Sequence, residues 1–327
     1  MFIQKSLESP EFCIRKLGND ELVTEDKTSR RPNRFQNRYF LSILLLGLIT
    51  FFLDHSLAEE NAINEPENPE TETIQILFLG NSFTYYNSLD QMVQDMFNVS
   101  GFSMNATRNA PGGWRLRQHF LGEVPNDKFK PTPELIQNEQ WNFVVLQEQS
   151  AGTVNERDEF LEFGEKMNQM IKEKCPTTKV LLYQTWGRHF GMFDGYAEDP
   201  SQKDDIIAAW EARYNKKANE IVIENLRDGI QGGYAALAEK IDATVVPVGK
   251  AFDFVGDKIN LYCDEGNQVP FHPNQAGTYL AGCVFFKTIS GQSPVGLYAK
   301  LVQNGKELSF SADDAALLEN VADQVVD

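Results

Sequence analysis

The sequence predicts an α/β fold, a three-layer α/β/α sandwich with a mainly parallel central sheet. Two observations lead to this prediction. Short, fully apolar runs alternate with longer segments of helical periodicity, and strands buried on both faces of a parallel sheet have such continuous apolar sequences. Several of these runs also end in glycine or polar residues, at the edge where open parallel sheets place their sites.

The elements follow in a regular order. Strands are predicted at residues 74–79, 143–147, 179–184 and 244–247. Helices are predicted at residues 89–99, 156–174, 203–226, 234–240, 276–288 and 312–326. The alternation predicts a single compact domain over residues 73–290, followed by a C-terminal extension over residues 291–327.

The N-terminal segment, residues 1–58, has the pattern of an export signal. Four arginines precede an apolar run at residues 40–53, and Ser56-Leu57-Ala58 offers small residues for cleavage after Ala58. The run is shorter than a spanning helix requires, but its long N-terminal flank leaves an uncleaved signal-anchor open as the alternative. Residues 59–72 are acidic and rich in proline, which predicts a solvated linker. We therefore expect a secreted, periplasmic or otherwise extracytoplasmic protein, associated with a membrane only through such an anchor.

Charge and cysteine content narrow the function classes. The formal net charge is −17, and no basic patch is interleaved with aromatic residues, so nucleic acid is excluded as a partner. The chain has four cysteines, and none has the spacing of a zinc site. One disulfide, between Cys263 and Cys283, is conceivable in an exported protein because these residues flank one loop.

The first predicted strand ends at Gly80-Asn81-Ser82. This pattern places the Ser82 hydroxyl at the start of a helix, where backbone N–H groups stabilise developing negative charge, so Ser82 is a candidate nucleophile. The plainer interpretation is that Asn81 or Ser82 only caps the helix.

Two further segments offer hydrogen-bond donors for an oxyanion. The glycine pair at Gly113 allows close approach of backbone N–H groups, although it also suits an ordinary loop. Gln147-Glu148-Gln149-Ser150 follows the second predicted strand, and a side-chain amide there is a second candidate donor.

His272 is the candidate base, because it precedes Pro273 and a predicted helix on a loop that can reach Ser82. His55 lies beside the signal region, and we expect His119 and His189 at the surface or at the rim of the site.

Together these segments resemble the SGNH (GDSL-type) hydrolase superfamily in its Gly-Asn-Ser branch. Gly80-Asn81-Ser82-Phe83-Thr84 resembles the nucleophile block, Gly113 the second-block glycine, and His272-Pro273-Asn274 the last block. The resemblance extends over residues 74–286. It implies a Ser-His(-Asp) esterase with an oxyanion hole formed by Ser82, Gly113 and Gln149, and it requires no metal or organic cofactor.

The sequence departs from the family pattern at two places. Gln149 occupies the position of the third-block asparagine and retains an amide donor, with Gln147 as the fallback donor. Val269 stands three residues before His272, where the family has aspartate, so Asp264 is the favoured triad acid. The alternative is a Ser-His dyad with a backbone carbonyl orienting the ring.

The resemblance implies a small-molecule or polysaccharide ester as the substrate, first of all an O-acetylated carbohydrate. Trp114 and Trp186, beside the motifs, and Tyr85 are candidate sugar-binding faces, and Arg188 is a candidate contact for an anionic sugar. The tryptophans could instead belong to the core. Two alternatives remain open: a glycan-binding surface protein with impaired catalysis, and an acyltransferase that uses the same residues.

Overall fold

The computed structural model describes residues 72–149, 152–187, 227–263 and 272–326, together with Ala208. The N-terminal segment, the linker up to residue 71 and, apart from Ala208, the predicted helix 203–226 lie outside the described residues. The same holds for Ser150, Arg188 and Asp264. Across the described ranges, no helix is both long enough and apolar enough to cross a membrane.

Within the described ranges, five parallel strands form the central sheet, in the order β2-β1-β3-β4-β5. The strands are β1 (Ile74–Leu79), β2 (Met104–Asn109), β3 (Phe143–Leu146), β4 (Lys179–Tyr183) and β5 (Thr244–Val246). This order is that of flavodoxin-like doubly wound sheets, and it confirms the predicted α/β class. Leu79 pairs with both Asn109 and Leu146, so the ends of β1, β2 and β3 meet at one edge of the sheet.

Helices cover both faces of the sheet. The helices before β4 are α1 (Ser82–Tyr85), α2 (Leu89–Asn98), α3 (Leu116–Leu121), α4 (Thr132–Asn138), α5 (Gly152–Asn155) and α6 (Arg157–Lys174). The helices described in full after β4 are α7 (Arg227–Ile241), α8 (Val248–Val255), α9 (Gln275–Ser290), α10 (Leu297–Gln303) and α11 (Ala312–Val325). Short 3₁₀ turns follow α1 and α8, at Tyr86–Ser88 and Gly256–Lys258.

Alternate residues of the strands pack into two separate hydrophobic cores, one on each face of the sheet. Ile76 and Phe78 of β1 pack with α2, α8, α9, α10 and α11, whereas Leu77 and Leu79 pack with α3, α4, α6 and α7. All four side chains are fully buried, which explains why β1 reads as a continuous apolar run. Each such side chain contributes roughly 1.5–3 kcal/mol by its removal from water. The three predicted layers are therefore present.

The edge strand β2 was absent from the sequence prediction, because its sequence is largely polar. Side chains of α2 spaced four residues apart reach alternate residues of β2. Asn98 Oδ1 accepts from the Met104 N–H, Gln94 Oε1 accepts from the Ala106 N–H, and Asp90 pairs with Arg108. Four helical residues rise about 6 Å and two strand residues about 6.6 Å, so the two spacings match. The helix thereby covers N–H groups that an edge strand would otherwise expose.

The C-terminal segment packs into the same core as the sheet. Glu319 of α11 is buried and accepts hydrogen bonds from the Tyr279 hydroxyl at 2.6 Å and from the N–H groups of Gly296 and Tyr298 at 2.8 Å. A buried carboxylate satisfied in this way joins α9, α10 and α11.

The conceivable disulfide is not formed, and that expectation is wrong. Cys263 and Cys283 are both thiols, and Cys283 is buried within α9. Burial raises the pKa of the Cys283 thiol well above its ordinary value.

Candidate active site

The nucleophile turn begins where β1 ends. Ser82 is the first residue of α1 and is partly exposed. Asn81 caps this helix, because its Oδ1 accepts a hydrogen bond from the Phe83 N–H at 3.2 Å. The capping interpretation is therefore correct for Asn81, and it leaves the Ser82 hydroxyl available for chemistry.

Asn81 connects the three segments that the motifs single out. Its own N–H donates to Gln147 Oε1 at 2.9 Å, and its Nδ2 donates to the Trp114 carbonyl at 2.8 Å. Asn81 is 3% exposed, so these bonds are shielded from water. The turn after β1 is thus joined directly to the segments that carry Gly113 and Gln149.

Gln147 holds the nucleophile turn through hydrogen bonds within the protein, so its side-chain amide is not a donor for substrate. Its Oε1 accepts from both the Asn81 N–H and the Thr84 hydroxyl, and its Nε2 donates to the Glu148 carbonyl at 2.6 Å. The side chain is fully buried. The fallback role predicted for Gln147 in the oxyanion hole is therefore wrong, since its amide is committed to the protein itself.

His119 holds Gly80 from the other side, and its predicted position at the surface or at the rim of the site is wrong, because the residue is buried. The imidazole is fully buried, with Nε2 2.8 Å from the Gly80 carbonyl and Nδ1 2.9 Å from Thr132 Oγ1. Burial lowers the pKa of His119 to about 4, so the ring is neutral at neutral pH. Since the Gly80 carbonyl can only accept, Nε2 carries the proton, and the Thr132 hydroxyl donates to Nδ1.

Gly113 lies in a tight turn that presents backbone to solvent. The Trp114 N–H donates to the Pro111 carbonyl, and Gly113 has φ +70° at the third position of the turn. A positive φ at this position is the feature of a type II turn that glycine satisfies without strain. Gly112 and Gly113 are both exposed.

Gln149 is anchored through its oxygen. Its Oε1 accepts from the Gly152 N–H at 3.0 Å, and its own N–H donates to Glu148 Oε1 at 2.8 Å. Because the Gly152 N–H holds Gln149 Oε1, the Nε2 group of Gln149 points away from Gly152.

The three predicted oxyanion donors stay open within the described part of the chain. No hydrogen bond is formed there by the N–H of Ser82, the N–H of Gly113 or the Nε2 of Gln149. The first N–H groups of a helix have no partner inside the helix, which accounts for Ser82. Neighbouring donors, by contrast, are used internally: the N–H groups of Asn81, Phe83, Thr84, Tyr85, Trp114 and Gln149.

Glu148 was not singled out by the sequence, although it lies within the segment that we considered. Its Oε2 accepts from the Leu116 N–H at 3.0 Å, and its Oε1 accepts from the Gln149 N–H. The carboxyl group therefore connects the helix after Gly113 to the Gln149 loop. Burial raises the pKa of Glu148 to about 8, against the opposing effect of the two N–H groups and of Arg115. The available signal was a carboxyl group two residues after the fully apolar strand β3.

His272 lies against the segment that carries Ser82. Its ring stacks on Tyr86 with a centroid distance of 3.9 Å and an interplanar angle of 5°, and it meets the edge of Phe83 at 5.6 Å. The loop is held by antiparallel bonds, since the Cys263 N–H donates to the His272 carbonyl and the Asn274 N–H to the Leu261 carbonyl. His272 is 5% exposed.

The aromatic candidates differ in exposure. Trp186 is 1% exposed and stacks on Phe252 at 4.0 Å, so its predicted role as a sugar-binding face is wrong. Trp114 is also largely buried, with its ring edge against His119, which corrects the same expectation for that residue. Tyr85 is 39% exposed, and its ring stacks on Tyr86 with a centroid distance of 5.2 Å. Arg188 and Asp264 lie outside the described residues. Over the described ranges, no three His, Cys, Asp or Glu side chains converge as metal ligands would.

The chain is similar to several solved structures. The chain is similar to a DUF4886 family protein from Bacteroides uniformis, with 16% identity over 78% of this chain and 95% of that chain, and a TM-score of 0.54. A candidate SGNH hydrolase from Slackia heliotrinireducens matches with 22% identity over 66% and 99% of the two chains, and a TM-score of 0.49. A Clostridium thermocellum family 3 carbohydrate esterase matches with 12% identity over 70% and 98%, and a TM-score of 0.40.

No family model and no curated protein matches this sequence. The parallel sheet in the order 2-1-3-4-5, with helices on both faces, is consistent with the resemblance drawn from the motifs. The chain shares its α/β fold with the DUF4886 family protein.

Proposed function

We propose that this protein is an exported serine esterase that removes short acyl groups, first of all acetyl, from a carbohydrate. Ser82 Oγ attacks the ester carbonyl while His272 takes its proton. The tetrahedral intermediate then collapses to an acyl-enzyme, and the departing alcohol receives that proton from His272. Water activated by His272 then releases the acid and restores Ser82. The residues need no metal or organic cofactor for these steps.

The observation that carries this proposal is the pattern of open donors. Ser82 N–H, Gly113 N–H and Gln149 Nε2 form no hydrogen bond in the described part of the chain, as is also true of the N–H of Gly112 beside Gly113, so these donors remain available to an oxyanion. Asn81 bonds to residues one or two positions from Gly113 and Gln149, which keeps the three segments together. Each oxyanion donor typically lowers the barrier by roughly 3–4 kcal/mol.

The acid that orients His272 is proposed to be Asp264. Cys263 precedes it in the chain, and the Cys263 N–H donates to the His272 carbonyl at 3.0 Å. The alternative is the Ser-His dyad. Replacing Asp264 by asparagine separates the two: a triad loses kcat by orders of magnitude, as loss of the orienting acid does in serine proteases, whereas a dyad keeps it.

The substrate class rests on an exposed aromatic side chain beside the nucleophile. Tyr85 follows Ser82 by three residues, and its hydroxyl lies 3.7 Å from the position that a β-carbon on Gly112 would occupy. Tyr85 therefore borders both Ser82 and the Gly113 turn and offers a face for a sugar ring. Removing this ring by Tyr85→Ala should raise KM for an acetylated oligosaccharide and leave KM for a small aryl acetate little changed.

The first experiment is hydrolysis of p-nitrophenyl acetate by the purified protein and by the Ser82→Ala and His272→Ala variants. We expect turnover in the parent, loss in both variants, and a fluorophosphonate adduct on Ser82. Activity that survives Ser82→Ala would refute the mechanism. A folded parent without turnover, but with glycan affinity, would favour the binding protein. Acetate release from acetylated xylan, with and without an acceptor alcohol, separates hydrolysis from acyl transfer.

Export is the remaining part of the proposal. It is supported by the basic and apolar pattern of residues 1–58 and by the acidic linker. Localisation of the full-length protein in fractionated cells, followed by N-terminal sequencing, tests both export and cleavage after Ala58. A full-length protein in the membrane fraction would indicate the anchor.

A further inference from the structure

We infer that the turn Tyr86–Asn87, directly after the nucleophile helix, positions His272 against Ser82. This inference rests on the proposed function, because it assigns positioning residues to the proposed base. The chain has Val269 where the family motif has an acid, so other groups near the imidazole acquire importance. Two side chains of this turn contact the histidine and its loop.

Tyr86 contacts both the imidazole of His272 and the backbone of Ser82. Its backbone N–H donates to the Ser82 carbonyl, which fixes its position relative to Ser82. Its ring lies parallel to His272, with centroids 3.9 Å apart and planes inclined by 5°. A stacked ring limits tilting of the imidazole and offers its electron-rich face to the imidazolium that forms when Ser82 gives up its proton.

Asn87 holds the loop on which His272 lies. Its Nδ2 donates to the Pro273 carbonyl at 2.8 Å and to Thr278 Oγ1 at 3.0 Å. These bonds fix the residue after His272 and the first turns of α9. The segment that starts at Ser82 therefore contacts both the ring and the backbone of the base.

The backbone of this turn is unusual in a way that fits a positioning role. Asn87 has φ +48° and Ser88 has φ +54°, so two consecutive non-glycine residues adopt the left-handed region. Such conformations cost free energy and persist where the surroundings enforce them, commonly at functional sites. Asparagine tolerates this region better than most residues and also supplies the two donor hydrogens used here.

Activity measurements on matched variants test the inference. Tyr86→Leu removes the stack, Tyr86→Phe keeps it, and Phe254→Leu makes an aromatic-to-leucine change at a side chain that is 52% exposed on α8. For p-nitrophenyl acetate we expect kcat to fall roughly 3- to 30-fold in Tyr86→Leu, with KM nearly constant. Tyr86→Phe and Phe254→Leu should retain kcat within about twofold on the same reasoning.

Asn87→Gly keeps the left-handed backbone and removes the amide. We expect kcat to fall by a comparable factor while the thermal midpoint stays close to that of the parent. Wild-type kcat in both Tyr86→Leu and Asn87→Gly, in a protein that Ser82→Ala inactivates, would overturn the inference and leave the proposed function intact.

A second readout does not depend on activity. The imidazole protons of His272, assigned in histidine-labelled protein by comparison with His272→Ala, should be shifted upfield by the stacked ring. They should move downfield in Tyr86→Leu and stay in place in Tyr86→Phe. Unchanged resonances in Tyr86→Leu would overturn the inference even in a protein that hydrolyses no ester. If the parent lacks turnover but shows this upfield shift, the proposed function is refuted and the inference about Tyr86 stands.

Discussion

A single methyl group at Gly80 should be enough to disrupt the nucleophile turn. A β-carbon built there would lie 2.4 Å from Thr84 Oγ1 and 2.5 Å from Gln147 Oε1. These two oxygens are hydrogen-bonded to each other at 3.0 Å, and both are fully buried. Gly80→Ala therefore places a methyl group against both partners of one buried hydrogen bond.

The expected loss follows from those contacts. Separating Thr84 from Gln147 removes a net hydrogen bond of about 1 kcal/mol, and a buried group left without a partner costs about 1–3 kcal/mol. Overpacking adds about 1–3 kcal/mol. We expect Gly80→Ala to lower the free energy of unfolding by about 3–7 kcal/mol, a large part of the roughly 5–15 kcal/mol typical of a folded protein.

Urea unfolding followed by far-UV circular dichroism measures this loss, with Gly112→Ala as the matched control. A β-carbon on Gly112 finds its nearest neighbour at 3.7 Å, an ordinary contact, so its stability should change by less than about 1 kcal/mol. Adding Thr84→Ala to Gly80→Ala removes the nearer oxygen, and the loss should be smaller than the sum of the single losses. Stability of Gly80→Ala within about 0.5 kcal/mol of the parent would refute the reasoning.

Three further predictions concern stability. Gly277→Ala would place a β-carbon 2.3 Å from the Leu261 carbonyl, so we expect the free energy of unfolding in urea to fall by about 3 kcal/mol or more. Gly232→Ala, in open space on α7, should by contrast be neutral or stabilising. Trp186→Ala should cost about 3–5 kcal/mol in the same assay, because this side chain is core. The pKa of Glu148 is about 8 in the folded state and 4.5 ordinarily, so between these pH values the folded state holds a proton that the unfolded state has lost. The stability of the parent should therefore fall as pH rises from 4.5 to about 8, by at most ~5 kcal/mol. Glu148→Gln should flatten that slope in melts across this pH range, and an unchanged slope would contradict the assignment.

The fold was predictable where burial is complete and only in part elsewhere. Strands β1, β3 and β4 have the apolar runs that a sheet covered on both faces requires, and their predicted positions are correct to within one residue. Strand β2 lies at the edge, so its residues need not be apolar, and the pairing with α2 through Gln94 and Asn98 depends on tertiary contacts. Hydrophobic periodicity carries no signal for such a strand.

The candidate site shows a similar division. The order and spacing of the motifs predicted the turn at Ser82 and the loop of His272, because each motif is a short run of neighbouring residues. The fate of side chains without a motif was not predictable in this way. Trp186 and His119 are buried, and only the packing of other elements around them decides between core and rim. Tyr86 was not singled out because its partner, His272, lies far away in the sequence.

The asparagine in Gly-Asn-Ser has a consequence that an aspartate would not share. Asn81 Oδ1 accepts from the Phe83 N–H while Nδ2 donates to the Trp114 carbonyl, so both halves of the amide are used. Asn81→Asp keeps the cap but removes the donor and sets a carboxylate oxygen against a carbonyl oxygen, at a cost of about 1–3 kcal/mol. Because that bond holds the Gly113 segment, we also expect kcat for p-nitrophenyl acetate to fall about tenfold, equivalent to about 1.4 kcal/mol. Asn142→Asp is the control, since that exposed side chain only accepts, from the Gln75 N–H. If both variants behave like the parent, Asn81 does not couple the nucleophile turn to the oxyanion donor on the neighbouring loop.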